Sequence, residues 1–226
     1  MPAVLLIRHG QNNFVGKRLA GRLPNVHLNE KGLTQAANLA DRLKAAPIKA
    51  IYSSPLERAV ETAQPLANVL GLEVGVADGL LEVDFGTWQG KTGPQMHRMK
   101  MWKQVQEEPS KVRYPQGESF VEAQKRIVGF LESLREKHEE QELVACFSHC
   151  DAIKLAICHF LDMPLDAFQR LSIDTASISV VYLGKKGRPA LLTMNQILQD
   201  YWQMFSEAPH KNGRKAKAAK VKEASQ

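Results

Sequence analysis

The stretch Ala3-Val4-Leu5-Leu6-Ile7-Arg8-His9-Gly10 decides the fold of this chain. Its first five residues are apolar and rich in branched side chains, and they are too few for a buried helix. They predict a strand that is covered on both faces, as in a parallel sheet. Polar residues begin where this strand should end. In open α/β sheets ligands bind just beyond the carboxyl ends of strands, so the Arg-His-Gly turn is a candidate binding site.

Each residue of this turn has chemistry that suits such a site. The guanidinium of Arg8 offers a planar fork of donors for a phosphate group. The imidazole of His9 is nucleophilic when it is neutral. Gly10 permits a sharp turn and a close approach of backbone to ligand. Taken alone, the tripeptide favours the plainer interpretation of a strand that ends in polar residues, and the rest of the chain decides between the two.

Strand-like and helix-like segments alternate along the rest of the chain. Further buried strands are predicted at 49–53, 72–77 and 143–147. Helices are predicted after the cap residue Asn29, from Ser54-Pro55 with Ser54 as the cap, over 94–108, from Ser119 to about Lys137, and over 153–161. Two last strands, 177–183 and 190–194, are joined by a link so short that they must be antiparallel. The prediction is a three-layer α/β/α sandwich with a mostly parallel sheet and one antiparallel strand.

The composition is that of a soluble globular protein. The 226 residues are 44% hydrophobic and 24% charged, enough for one large domain with a full core. No run approaches the roughly 18 apolar residues that a membrane span needs, and no signal peptide is visible. Three cysteines without a CxxC pair make disulfides improbable and fit a reducing cytoplasm. We therefore expect a cytoplasmic protein with no membrane partner.

The positive charge is concentrated at the end of the chain. Of the net charge of +6, residues 208–226 carry +5 and residues 1–207 carry +1. The last segment has almost no large apolar residue, which predicts a disordered tail. We expect a catalytic domain over 1–200 and a basic tail over 208–226. Any contact with nucleic acid should be weak and made by the tail.

Four side chains are predicted to meet at one edge of the sheet. Arg8 and His9 follow the first strand, Arg58 lies in the first helical turn after the second, and His149 follows the strand 143–147. Two cations and two imidazoles at this edge suit a dianion such as a phosphate ester. No carboxylate or cysteine lies at ligand spacing from either histidine, which argues against a metal site.

Six sequence pieces carry a resemblance to a known family. They are 6–10 (Leu-Ile-Arg-His-Gly), 28–32 (Leu-Asn-Glu-Lys-Gly), 53–59 (Ser-Ser-Pro-Leu-Glu-Arg-Ala), 82–90 (Glu-Val-Asp-Phe-Gly-Thr-Trp-Gln-Gly), 117–119 (Gly-Glu-Ser) and 147–149 (Phe-Ser-His). In this order the chain resembles the histidine phosphatase superfamily, in the branch related to cofactor-dependent phosphoglycerate mutases. Each piece alone is weak evidence for the resemblance, whereas all six in the same order are strong evidence. The resemblance covers about residues 3 to 195.

The resemblance implies a role for each member of the predicted cluster. It implies that His9 becomes phosphorylated, that Arg8, Arg58 and His149 bind the phosphoryl group, and that Glu82 is the proton donor. It also implies a phosphoglycerate mutase-like fold and a cytoplasmic enzyme that needs no metal and no cofactor. The glycines and aromatic residues around Glu82 agree with this role, because they suggest a structured loop that holds the carboxylate against apolar surface.

Three positions depart from the pattern common in the family: Gln11, where many members have Glu; Val15, where many have an Asn that helps to hold phosphate; and Cys150, where a Gly is common. Either Asn12 or Asn13 could replace the missing Asn. Asn12 and Gly21 are further candidates for substrate binding. The departures leave the chemistry intact and put the substrate in doubt.

Three functions compete at this point. The first is a phosphatase for small phosphate monoesters, such as sugar phosphates or phosphoglycerate derivatives. The second is a phosphoglycerate mutase-type phosphomutase, which must exclude water, and we expect residues 93–118 to cover the site and decide between the two. The third is a non-enzymatic polyanion-binding protein that acts through its tail. The expected partner is a small-molecule phosphate ester, and assembly as a homodimer is left open.

Overall fold

A computed structural model describes residues 2–184 and 188–196 of the chain. It contains one six-stranded sheet made of β1 (Ala3–Arg8), β2 (Ile48–Ser53), β3 (Val74–Val76), β4 (Leu143–Ser148), β5 (Ile178–Tyr182) and β6 (Ala190–Gln196). The order of strands is β3-β2-β4-β1-β5-β6. The first four are mutually parallel, and β5 runs antiparallel to both of its neighbours. The predicted sheet, mostly parallel with one antiparallel strand, is confirmed.

Helices cover both faces of the sheet. They are α1 (Glu30–Leu43), α2 (Glu57–Leu70), α3 (Gly93–His97), α4 (Trp102–Glu107), α5 (Phe120–Lys137) and α6 (Cys150–Phe160). Short 3₁₀ helices lie at Asp78–Leu80, Gly86–Trp88, Pro109–Lys111 and Leu165–Arg170. Successive side chains of a strand point to opposite faces. Thus Leu5 and Ile7 of β1 pack in the core cluster of α1 and α2, and Val4 and Leu6 pack in that of α5 and α6. These are the three predicted layers.

Capping side chains fix the starts of two helices where the sequence predicts them. The side chain of Asn29 accepts a hydrogen bond from the backbone N–H of Gly32 and so caps α1. At α5, Ser119 and Glu122 form a capping box in which each side chain binds the backbone of the other. Both helices therefore begin within a residue of the predicted point.

The start of α2 differs from the prediction. The helix begins at Glu57, two residues after Pro55, and the residue before it, Leu56, has an extended backbone and no side-chain cap. Ser54, which the sequence suggests as the cap, accepts only a long 3.4 Å hydrogen bond from the N–H of Leu56. Its hydroxyl is instead engaged with His149, 95 residues away along the chain. A tertiary contact thus replaces the local cap.

The single helix predicted over 94–108 is wrong, because this segment forms two short helices, α3 and α4. Residues two apart in a helix lie on nearly opposite sides. A continuous helix would therefore separate Met99 from Met101. In the structure both pack against one apolar cluster under the Glu82 loop, and the break between the helices makes this possible.

That third apolar cluster supports the loop which carries Glu82. Phe85 and Trp88 of the loop are buried, and both contact Tyr114 edge-on, with ring centroids 5.0 and 5.3 Å apart. These aromatic residues thus pack the loop, as the sequence indicates.

Other predictions fall outside the part of the chain that the structure describes. These are the tail 208–226, the domain boundary at 200 and most of the link between β5 and β6. Among the described helices, none has the length and apolar character required to cross a bilayer.

Candidate active site

Strand register brings the two histidines of the site together. β1 and β4 are parallel neighbours, and Arg8 lies opposite Ser148. The backbone N–H of His9 continues this ladder by donating to the carbonyl of Ser148 at 3.0 Å. The next residue on each strand is a histidine, and the ring centroids of His9 and His149 lie 5.2 Å apart. The predicted convergence at the carboxyl edge of the sheet is therefore what this register produces.

The imidazole of His9 is held in the form that a nucleophile needs. Its Nδ1 lies 2.7 Å from the carbonyl oxygen of Gly10. Because a carbonyl can only accept, Nδ1 carries the proton, and the lone pair is on Nε2. Burial lowers the pKa of His9 well below its ordinary value of 6.5, and the charges of Arg58 and Arg8 lower it further. The ring is thus neutral at neutral pH, with Nε2 available for attack.

His149 is fully buried and is oriented by Ser54. Its Nε2 lies 2.8 Å from the hydroxyl oxygen of Ser54. Since that hydroxyl already accepts from the N–H of Leu56, its hydrogen can be donated to Nε2, which places the imidazole proton on Nδ1. Nδ1 has no partner within the described residues. Burial lowers the pKa of His149, followed by the charge of Arg58. A neutral ring with a free N–H donor is suited to an anionic oxygen.

Two arginines present unpaired donors at the same edge. Arg58 is 1% exposed and lies in the first turn of α2, as predicted. Its Nη2 donates to the carbonyl of Gly21 at 2.6 Å, whereas Nε and Nη1 have no partner in the described chain. Nη1 of Arg8 donates to the carbonyl of Ile173, and its Nε is likewise unpaired. Burial lowers the pKa of Arg58 to about 10, so it stays charged at neutral pH. Buried charged donors without acceptors are costly, and an anion would satisfy them.

The carboxylate of Glu82, which belongs to the loop before the 3₁₀ helix Gly86–Trp88, lies against the N-terminus of α6. Its Oε1 accepts hydrogen bonds from the backbone N–H groups of Val83 at 3.0 Å and Ala152 at 3.1 Å. Its Oε2 has only a long 3.5 Å contact with the N–H of Asp151. Burial raises the pKa of Glu82 and the charge of Asp151 adds to the rise, against the backbone hydrogen bonds and the charge of Arg58. Oε2 is therefore the oxygen that can carry and deliver a proton.

The backbone of Glu82 is clamped by two further arginines that sequence reasoning missed. Its carbonyl accepts from Nε of Arg22 at 2.9 Å and from Nη2 of Arg126 at 3.2 Å. Both guanidinium groups pair with Glu118, at 2.7 and 2.9 Å. The motif Gly117-Glu118-Ser119 thus supports the site indirectly, because Glu118 binds the two arginines that hold the Glu82 loop. The presence of Glu118 in the motif was the only sequence signal for this network.

Thr62 is a second residue that the sequence did not single out. Its buried hydroxyl accepts from the N–H of Gly10 at 2.9 Å and donates to the carbonyl of Arg58 at 2.6 Å. It therefore links the turn after β1 to the first turn of α2. Gly10 does permit a close approach, as predicted, but the group that approaches it is protein backbone and not a ligand. A Cβ at this position would lie 2.8 Å from the carbonyl oxygen of Gly32.

These residues surround a cavity of about 210 Å³. Its wall consists of Arg8, His9, Asn12, Phe14, Val15, Gly16, Arg18, Leu19, Ala20, Gly21, Arg58, Glu82, Phe85, Cys150 and Asp151. His149, whose ring centroid lies 5.2 Å from that of His9, is not among the wall residues. The size is below the roughly 300–1,000 Å³ of typical sites for drug-sized ligands, which favours a small substrate.

Both additional candidates from the sequence, Asn12 and Gly21, lie on the cavity wall. The Oδ1 atom of Asn12 accepts from the N–H groups of Phe14 and Val15, so its amide NH₂ is directed elsewhere and has no partner in the described chain. Asn13 is exposed and its side chain accepts from Asn29. Of the two asparagines that the sequence left open, the geometry thus favours Asn12 as the donor that replaces an Asn at position 15.

The structure corrects the expectation that residues 93–118 cover the site, and it also places Asp151 and Gln11. The side chain of Asp151 does not cap α6, which begins at Cys150 with His149 as its cap residue, and Asp151 lies in the first turn beside Lys154. No residue of 93–118 lines the cavity, whose outer wall comes from 12–21. Gln11 is not on the wall either, because its side chain accepts from the hydroxyl of Thr175.

Cys150, one of the three departures from the family pattern, lies on the cavity wall. Burial raises the pKa of its thiol to about 11, and Asp151 adds to the rise. Since the thiolate is the reactive form, this position disfavours redox reactivity.

Within the described residues, no group of three histidine, cysteine or carboxylate side chains is placed to hold a metal ion.

Comparisons with known proteins point in the same direction as the geometry. The sequence model of the histidine phosphatase superfamily (branch 1) matches residues 4–197. Phosphoserine phosphatase 1 of Hydrogenobacter thermophilus is 34% identical over 199 residues, which cover 86% of this chain and 92% of that protein. A 2,3-bisphosphoglycerate-dependent phosphoglycerate mutase of Thermoplasma acidophilum is 31% identical over 183 residues, covering 80% and 87%.

A solved structure is also similar over most of the chain. The phosphoserine phosphatase of Entamoeba histolytica, crystallised in complex with 3-phosphoglyceric acid, superposes with a TM-score of 0.78 at 30% identity. The superposition covers 87% of this chain and 98% of that one.

Proposed function

The chain belongs to the histidine phosphatase superfamily as an enzyme of the phosphatase type, and we propose that it hydrolyses small phosphate monoesters through a phosphohistidine on His9. The observation that carries the proposal is the neutral Nε2 of His9, which shares one small cavity with unpaired donors of buried Arg58 and part-buried Arg8. A nucleophile, an anion-binding surface and a proton donor are the components that phosphoryl transfer requires.

In the first step, Nε2 of His9 attacks phosphorus in line with the ester oxygen. The N–P bond forms as the P–O bond to the leaving group breaks. The leaving oxygen takes the proton from Oε2 of Glu82, because burial raises the pKa of this carboxyl and so favours its protonated form. The products of this step are phosphorylated His9, an alcohol and the carboxylate of Glu82.

In the second step, water enters the position that the alcohol has left. The carboxylate of Glu82 takes a proton from this water as its oxygen attacks phosphorus and the N–P bond breaks. Phosphate leaves, and His9 and Glu82 return to their starting forms. Arg8, Arg58 and His149 bind the oxygens of the transferring phosphoryl group throughout. Stabilising the charge that develops on these oxygens is the main source of catalysis in phosphoryl transfer. Asn12 adds a neutral donor.

The competing activity is a phosphomutase, which the similarity to the Thermoplasma mutase keeps open. A mutase must return the phosphoryl group to a bound intermediate before water reaches it. Here residues 93–118 do not line the cavity, and Val15 stands where mutase-like relatives have Asn. Both features support net hydrolysis. Sugar phosphates and phosphoglycerate-type esters are candidate substrates, and the names of two similar proteins add phosphoserine.

The test is a panel of phosphate esters scored in parallel for release of phosphate and for isomerisation. We expect phosphate release and a phosphorylated His9 that is visible by intact mass at neutral pH. His9→Ala should abolish both. Rapid interconversion of 2- and 3-phosphoglycerate primed by bisphosphoglycerate, with little phosphate released, would establish the mutase instead.

The remaining expectations belong to the same proposal. The catalytic unit is assigned to residues 1–200 and the basic segment 208–226 to a dispensable tail. The tail would account for any weak binding of nucleic acid or another polyanion, which is the non-enzymatic alternative. A cytoplasmic location is supported by the cysteine content alone, and a homodimer is compatible with the proposal.

A further inference from the structure

A buried lysine beside the active site has no part in the reaction described above. Lys154 lies in the second turn of α6 and is 9% exposed. Its Nζ is 3.4 Å from Oδ1 of Asp151, which lies one turn earlier on the same face of the helix. It also lies over the ring of Phe168, 5.8 Å from the centroid. Burial alone would lower the pKa of Lys154, and the charge of Asp151 reverses this, so the ammonium stays charged.

The turn of α6 that carries Asp151 also holds the carboxyl group of Glu82. The backbone N–H of Ala152 donates to Oε1 of Glu82 at 3.1 Å, and that of Asp151 lies 3.5 Å from Oε2. Oε2 is the oxygen that delivers the proton, and Asp151 shares the cavity wall with Glu82. Asp151 thus contacts Glu82 through its backbone N–H and Lys154 through its carboxylate.

A carboxylate at this place favours the protonated form of Glu82. Two carboxylates at one buried site repel each other when both are ionised, which raises the pKa of one of them. Burial is the main cause that raises the pKa of Glu82, and the charge of Asp151 is the next. The charge of Arg58 acts in the opposite direction. The ammonium of Lys154 offsets part of the charge of Asp151 and therefore limits its effect.

Charged and titratable groups reach Glu82 from each element that packs around it. They are His9 and Arg22 from the segment after β1, Arg58 from α2, Tyr114 and Glu118 from the segment before α5, Arg126 from α5, and Cys150, Asp151 and Lys154 from α6. The guanidinium groups favour the carboxylate form of Glu82, and Glu118 pairs with Arg22 and Arg126. Asp151 therefore opposes Arg58 at the carboxyl group.

We propose that Asp151 and Lys154 are positioning residues that set how firmly Glu82 holds its catalytic proton. Asp151 favours the protonated acid, and Lys154 keeps that preference from becoming too strong. A general acid must be protonated at the working pH and still acidic enough to release its proton, so both adjustments serve the reaction. The inference rests on the proposed function, because it concerns the proton that Glu82 delivers to the leaving group. Both residues act through Glu82.

The test is the alkaline limb of kcat/KM for an alkyl phosphate, which reports the loss of the Glu82 proton in the free enzyme. Asp151→Asn removes a negative charge, so it should move the limb to lower pH by about one pH unit. Lys154→Met removes a positive charge and should move the limb to higher pH by about half a pH unit. Lys154→Arg keeps the charge and should leave the limb in place. A general disturbance of the site would not produce displacements of opposite sign.

A second substrate and a second ion pair supply the controls. Para-nitrophenolate leaves without a proton, so kcat/KM for para-nitrophenyl phosphate should show neither displacement. Asp41 and Lys44 form the same i,i+3 pair on an exposed face of α1, 2.6 Å apart, and neither lines the cavity. Asp41→Asn and Lys44→Met change the net charge equally and should not move the limb. If Asp151→Asn or Lys154→Met fails to fold, the other still tests the sign of its own displacement.

Several outcomes would overturn the proposal. One is a limb that stays in place in Asp151→Asn, and another is a displacement in the same direction in both variants. A third is an equal displacement with para-nitrophenyl phosphate, which would assign the limb to a group that both substrates need, such as Arg58. A phosphoenzyme on His9 in these cases would leave the proposed function standing. Absence of any phosphoenzyme in the unmodified protein would refute that function itself.

Discussion

Replacing Glu82 with Gln should separate proton donation from nucleophilic attack. Glutamine retains an oxygen that can accept from the N–H groups of Val83 and Ala152, which now bind Oε1. It puts an NH₂ group where Oε2 carries its proton. The nucleophile His9 and the guanidinium donors of Arg58 and Arg8 are unchanged. The variant therefore removes one chemical function and leaves the phosphoryl-binding surface intact.

The size of the effect follows from the leaving group. General acid catalysis typically contributes about 10²–10⁴-fold, equivalent to about 3–5 kcal/mol of transition-state free energy. The carboxyl of Glu82 is only 8% exposed, so bulk water cannot easily take its place. An alkyl phosphate leaves as a strongly basic alkoxide and should lose the whole factor. Para-nitrophenolate is a weak base and can leave without a proton, so the first step with para-nitrophenyl phosphate should be nearly retained.

The two steps of the reaction predict a burst. After para-nitrophenolate has left, Glu82→Gln has no base to activate water, and the phosphoenzyme should accumulate on His9. Stopped-flow absorbance should show about one equivalent of nitrophenolate per enzyme followed by slow turnover. Intact mass at neutral pH should show the phosphorylated protein. Asp84→Asn is the control, because Asp84 is a nearby carboxylate that does not line the cavity.

The opposite result would refute the assignment. If Glu82→Gln slows an alkyl phosphate and para-nitrophenyl phosphate by the same factor and shows no burst, Glu82 is not the proton donor. The raised pKa of its carboxyl would then reflect burial alone. A loss of activity in the control Asp84→Asn would then make Asp84 the next carboxylate to examine.

Four further predictions concern the pH dependence of the rate, the hydrogen bonds of Thr62, the basic tail and the effect of a chelator. For an alkyl ester, kcat/KM should fall on the acidic side only at a pH well below 6.5, the ordinary pKa of histidine, because the pKa of His9 is lowered. It should fall again as pH rises through the raised pKa of Glu82, and only the acidic limb should persist in the burst with para-nitrophenyl phosphate. Thr62→Val removes the acceptor of a buried backbone N–H and should cost about 1–3 kcal/mol in urea unfolding and reduce turnover, whereas exposed Thr87→Val should do neither. Removing 208–226 should leave turnover on a small ester unchanged and abolish salt-sensitive binding to heparin, and a large loss of turnover would contradict the assignment of the tail. A chelator should leave the rate of phosphate release unchanged, and recovery of a lost rate on adding a divalent cation would contradict the mechanism.

The sequence by itself predicted the sheet and the grouping of Arg8, His9, Arg58 and His149 at its carboxyl edge. A five-residue run rich in branched apolar side chains and bounded by a glycine turn favours a buried strand over a helix, and the direction of that strand places Arg8 and His9 at its carboxyl end. The same local logic applies to β4 and His149, and to Arg58 in the first turn after β2. These inferences needed only side-chain periodicity and the rule that parallel strands end at one edge.

Only the tertiary structure decided how those groups are oriented and tuned. Ser54 reaches His149 across 95 residues of sequence, and Thr62 reaches Gly10 across 52. The clamp of Arg126 on the Glu82 loop likewise depends on how α5 packs. Such contacts depend on strand register and on the packing between elements, and a local sequence pattern carries no information about either. For the same reason the prediction of Ser54 as a helix cap is wrong, since its hydroxyl lies 2.8 Å from buried His149 and only 3.4 Å from the N–H of Leu56.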